Sequence, residues 1–76
     1  MLEKYLNVFK ETFDISAKEA ETLNYQDISA WDSVGHMQLV ALLEDTFDIM
    51  LDTDDIIAFN SFDKGKEIMR KYGIEV

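Results

Sequence analysis

Residues 33–47 carry two apolar stripes at helical spacing, and that pattern restricts the fold more than any other part of the chain. At about 100° per residue, Leu39, Val40, Leu43 and Phe47 gather on one side, with His36 beside them. Val34, Met37 and Ala41 fall on a different side, alongside Gln38, Glu44 and Asp45. One stripe is enough to seat a helix on a core. The second, edged with acids, has no obvious partner inside a chain of 76 residues. At the mouth of this helix stands Asp32-Ser33. Either residue can cap it, and a negative charge there suits the helix dipole.

The flanking segments repeat the helical period. Over 2–13, Leu2, Tyr5, Leu6, Phe9 and Phe13 share a side, Lys4, Asn7, Lys10 and Glu11 take the other, and Asp14 is a stop signal. Residues 14–32 read as a long connection in which Ser16 and Glu19 form a capping box for a short turn of helix. Leu23, Tyr25, Ile28 and Trp31 are its apolar anchors, Trp31 pinning the loop to the bundle or, as a second reading, touching a partner. Thr53 is expected to cap a short helix with Asp54 and Asp55 in its first turn and Ile56, Ile57 and Phe59 as apolar contacts. Asn60 or Ser61 opens the last helix, through about Tyr72, with Phe62, Gly65, Ile68, Met69 and Tyr72 on one face. Gly65 lets a neighbour come close, and Lys71 and Gly73 mark the end. The expected fold is all-α, one domain over 1–76: a small up-down bundle of three main helices plus one short helix.

Composition narrows the function. The formal charge is −9, and no Lys or Arg occurs between Lys18 and Lys64, an interval with eleven acids. Nucleic acid is excluded as a partner, since its affinity comes largely from phosphate neutralisation. The natural partner is a protein with a basic patch, found by electrostatic steering. With no cysteine there is no disulfide, thiolate metal site or intrinsic thiol. No apolar run is long enough to insert in a membrane, and the first residues lack a signal-peptide pattern. The expectation is a complete cytoplasmic domain acting as a monomer.

The run Trp31-Asp32-Ser33-Val34-Gly35-His36-Met37-Gln38-Leu39-Val40 resembles the attachment site of the acyl carrier protein family. The resemblance continues through Phe47-Asp48-Ile49 to the last helix. It implies that Ser33 carries 4'-phosphopantetheine, transferred from coenzyme A by a phosphopantetheinyl transferase, the holo carrier synthase, that also reads Asp32. The thiol at the end of that arm holds an acyl or aminoacyl group as a thioester. The resemblance further implies partners with basic docking patches, enzymes that load or transfer the acyl group. They would grip Val34, Met37, Gln38, Ala41, Glu44 and Asp45, with Ile56 of the next helix. The match is imperfect: Val34 replaces the commoner leucine, Gly35 stands where acids are frequent, and Gln38 replaces a glutamate. Asp-Ser-x-Gly-x-x-Gln resembles the D-alanyl carriers of cell-wall modification and also carriers of polysaccharide and other specialised pathways, so fatty-acid and specialised biosynthesis both stay open.

The same residues admit other readings. Ser33 on its own could be only a helix cap. It is not a catalytic serine: no G-x-S-x-G elbow is present, and the single histidine, His36, lies on the same helix. No enzymatic activity is therefore expected. His36 is either a packing residue or the entrance to a cargo cavity, and no second histidine or cysteine joins it for metal. The acidic segment 48–55 fails as a calcium loop. Counted from Asp48, the sixth and twelfth positions are Thr53 and Phe59; from Asp52 they are Ile57 and Asp63. An EF-hand requires glycine and glutamate there. The alternative function is a helical interaction module that binds a basic partner and is never modified.

Overall fold

A computed structural model describes all residues, 1–76. Five helices follow one another: α1 (Leu2–Phe13), α2 (Ala17–Glu21), α3 (Ser33–Phe47), α4 (Thr53–Ala58) and α5 (Phe62–Lys71). The class is all-α, and the only β feature is an isolated antiparallel bridge between Asn24 and Ser61. The expected single short helix becomes two. The extra one, α2, is set by its capping box: the Glu19 N–H donates to Ser16 Oγ at 3.2 Å, and the Ser16 N–H to Glu19 Oε1 at 3.3 Å. None of the helices is long and apolar enough to cross a membrane.

Local signals place most helix ends. Asp14 and Asp48 close α1 and α3 in the left-handed region, at φ 53° and 54°. Ser61 caps α5 by accepting from the Lys64 N–H at 2.9 Å. At α4 the expectation fails. Thr53 is its first helical residue, Asp52 is the N-cap, and no side chain accepts a capping bond there.

The core is aromatic and joins every segment. Tyr5, Phe9 and Phe13 of α1, Leu39, Val40 and Leu43 of α3, Phe62, Ile68 and Met69 of α5, and Trp31 and Phe59 from the connections are all buried. The buried face of α1 is turned from the expected one: Val8 is inside, while Leu2 is exposed and Leu6 half-buried. The long connection is held by its backbone. The Tyr25 N–H donates to the Asn60 carbonyl at 2.8 Å, and the Phe62 N–H to the Leu23 carbonyl at 2.9 Å.

Gly65 is where α5 comes closest to the core. A Cβ built there would overlap the Phe59 ring and the Tyr5 hydroxyl, which itself donates to the Phe62 carbonyl at 2.6 Å. Gly65→Ala gains about 1 kcal/mol of helix propensity but overpacks a site that cannot relax cheaply, at a cost of roughly 1–3 kcal/mol. A net fall in the thermal midpoint by circular dichroism is expected. An unchanged or higher midpoint would show that Phe59 and Tyr5 make way.

A polar clamp joins α4 to the end of α5. Asp55, 6% exposed, accepts from Lys71 Nζ at 2.7 Å and from the Tyr72 hydroxyl at 2.6 Å. That hydroxyl also accepts from the Asp52 N–H at 2.9 Å. The Lys71 hydrogen bond, followed by that of Tyr72, holds the Asp55 carboxyl below its usual range. A carboxyl depressed by folding stabilises the fold above its unfolded value, about 3.9, and the contribution disappears as pH falls through the lower folded value. Asp55→Asn should therefore be less stable than the wild type at neutral pH, with the gap narrowing as pH drops below about 4. Denaturation midpoints across that range test it, and a pH-independent gap would remove the carboxylate from the account.

Candidate functional site

The first turn of α3 separates the two roles that Asp32 and Ser33 could share. Asp32 is in extended conformation, and its Oδ1 accepts from the Gly35 N–H at 2.8 Å. Its carbonyl accepts from the His36 N–H at 2.8 Å. Asp32 is thus the cap and Ser33 the first helical residue. Ser33 is exposed, and its hydroxyl makes no hydrogen bond within the chain.

Gly35 is buried for a reason the sequence did not suggest. A Cβ there would run into the Ala30 carbonyl oxygen, so the glycine makes room for the loop backbone behind the turn. That loop is wound tightly: the Trp31 N–H donates to the Ile28 carbonyl and the Gln26 N–H to the Trp31 carbonyl, each at 3.1 Å. Gln26 pays for it with a φ of 71°, in the region that favours glycine.

Ser33 lies on the rim of an open cleft of about 360 Å³ between α3 and α4. Met37 and Ile57 flank the mouth, at 54% and 75% exposed. Tyr25, His36, Ile56 and Phe59 also line it, and Asn60 joins Ser33 among its polar residues. Most of this lining is apolar or aromatic, the surface expected of a site for a small apolar group.

His36 is bound through both ring nitrogens. The Trp31 indole N–H donates to Nδ1 at 2.9 Å, and Nε2 pairs with the Ile56 carbonyl at 2.8 Å. An indole nitrogen can only donate, so Nδ1 is the acceptor and the ring proton sits on Nε2, donating to Ile56. Trp31 itself is fully buried. It is the loop anchor, and it has no surface to offer a partner.

Compared with protein-family models, curated proteins and solved structures, the chain gives no match. The site therefore stands on its own geometry. No three acidic, histidine or cysteine side chains converge as a metal centre.

The expected docking stripe is only partly a free surface. Val34, Met37, Gln38, Ala41 and Asp45 are exposed. Glu44 is half-buried, and its Oε2 accepts from the Leu51 N–H at 2.9 Å, which closes the turn after α3. Ile56 is half-buried as well, and Ile57 is the exposed residue of the pair. At about 100° per residue, adjacent isoleucines in a six-residue helix cannot both face the core. That signal could have found Ile57. Tyr25, Phe59 and Asn60 were beyond local reading as cleft residues, because the backbone pairing of the loop with Asn60 brings them there.

Proposed function

We propose that the chain is a discrete carrier of acyl or aminoacyl groups, with 4'-phosphopantetheine attached to Ser33 and no catalysis of its own. One observation carries the reading: the Ser33 hydroxyl stands exposed and unpaired at the head of α3, because Asp32 does the capping. A serine needed only for the helix end would be the residue accepting that bond. The order of long helix, long connection holding the short α2, serine-headed helix, short helix and final helix supports an acyl-carrier type of bundle. The arm would supply the thiol the chain lacks.

The chain's own residues do the rest. Asp32 fixes the turn and gives the transferase an anion to read. Val34, Met37 and Ala41 along α3 and Ile57 of α4 offer exposed apolar contacts, and Asp45, Asp48 and Asp54 supply exposed charge for a partner's basic patch. The cleft beside Ser33 gives the carried group a sheltered place against the helices.

The test is direct. The purified chain, coenzyme A and a broad-specificity phosphopantetheinyl transferase are expected to give a single addition to the intact mass, on the peptide containing Ser33. An unchanged mass with a transferase shown to be active on another carrier rejects the proposal.

A further inference from the structure

We propose that His36 is a latch that fastens α4 to the head of α3 and so limits the size of group the cleft beside Ser33 accepts. The only hydrogen bond between α3 and α4 runs from His36 Nε2–H to the Ile56 carbonyl. α4 has six residues and no side-chain cap, and Ile57 projects from it into solvent. Its other polar tie, Asp55 to Lys71 and Tyr72, holds it to α5 and leaves the α3 side to His36.

The latch is braced from behind. Trp31 is fully buried, and its N–H fixes the imidazole tautomer that donates to Ile56. The indole and imidazole rings are stacked, 6.1 Å apart. Behind them the core is closed, with the Phe9 ring 5.6 Å from Trp31. A group in the cleft therefore meets His36, Ile56 and Phe59 as a back wall. To go deeper it must break the Nε2–H···O bond and leave the Ile56 carbonyl without that partner, a cost that short groups never meet.

This rests on Ser33 as the attachment point, but the test needs no transferase. The chain has no cysteine, so Ser33→Cys creates a unique thiol on the cleft rim. Alkyl methanethiosulfonates from methyl to decyl then form a mixed disulfide there: the thiolate attacks the sulfenyl sulfur and methanesulfinate leaves. The thermal midpoint of each adduct reports how much of the tail is buried.

In the His36 background the midpoint should rise over the short tails and then level off. His36→Asn keeps an acceptor for the Trp31 N–H and loses the donor to Ile56. In that background longer tails should go on raising the midpoint, by roughly 13 °C or more between hexyl and decyl when all four added methylenes are buried. His36→Gln keeps a donor at the Nε2 position and should restore the plateau. Because Gln also fills a methylene more space than Asn, His36→Leu separates the two accounts: it fills the site without a donor, so packing alone predicts that the plateau is kept and the latch predicts that it is lost. The proposal is overturned if decyl keeps raising the midpoint with His36 in place, or if the Asn and Gln series coincide. The parent series decides on its own should His36→Asn fail to fold. Mass addition at Ser33 by a transferase is a separate result, so a failed latch and a failed attachment site are told apart.

Discussion

Ser33→Ala is expected to abolish attachment completely, with no arm added to the intact mass under conditions that convert the wild type fully. Stability should change by no more than about 0.5 kcal/mol, as for a surface position without a specific bond. The physical reason is the division of labour at the head of α3. Asp32 Oδ1 holds the Gly35 N–H, and the Ser33 hydroxyl holds nothing. Removing that oxygen therefore takes away the nucleophile and leaves the helix end intact. Asp32→Ala should do the reverse on the stability axis, losing about 1 kcal/mol of capping. Asp32→Asn keeps an acceptor for the Gly35 N–H and removes the charge. A transferase that reads an anion should be slowed by Asp32→Asn even though the fold is not. Mass spectrometry and thermal melts on the same samples separate these effects. Should Ser33→Ala still gain the arm, the attachment site lies elsewhere. If the wild type gains none and Ser33→Ala binds a basic partner as well as it does, the chain is an unmodified interaction module.

What could be read from the sequence was local. The bounds of α1 and α3, the capping box at Ser16 and Glu19, and the core stripe of Leu39, Val40 and Leu43 all follow from period and cap chemistry, which depend on neighbours within four residues. The exposed stripe of Val34, Met37 and Ala41 was legible for the same reason. The misreadings came where a residue's role is fixed by something distant. Glu44 was assigned to a docking face because its position on the wheel is right, yet its carboxylate is occupied by the Leu51 N–H. Asp55 reads locally as a residue that favours the first turn of a helix, and it also forms the buried end of a clamp with Lys71 and Tyr72. The sequence leaves His36 open between packing and cargo. It packs, and it forms one wall of the cleft, because Trp31 and Ile56 take one ring nitrogen each. No periodicity announces a bond from residue 36 to residue 56.

Trp31→Ala should produce the largest loss of stability of any single change here, about 3–5 kcal/mol. The side chain is fully buried and meets four rings. It is stacked on Phe13 at 5.3 Å and edge-on to Phe9 at 5.6 Å and Tyr25 at 6.1 Å, with His36 stacked at 6.1 Å. Truncation opens a cavity among these rings and deprives His36 Nδ1 of its donor. At roughly 0.05–0.15 kcal/mol per residue, a domain of this size has only about 4–11 kcal/mol in total, so the variant should be partly unfolded at physiological temperature. Urea melts followed by far-ultraviolet circular dichroism are the right measurement, because the only tryptophan is the residue removed. Trp31→Phe keeps most of the packing and loses the N–H, so it should fall between the two, about 1–3 kcal/mol below the wild type. If Trp31→Ala lies within 1 kcal/mol of Trp31→Phe, the rings are not what holds the loop. The position of this residue ties the result to the attachment reading. Trp31 immediately precedes Asp32 and Ser33, and its carbonyl accepts from the Gln26 N–H. Without the anchor, the loop and the first turn of α3 lose their common support. Arm transfer to Ser33 should then slow in step with the unfolded fraction, although Ser33 and Asp32 are themselves untouched.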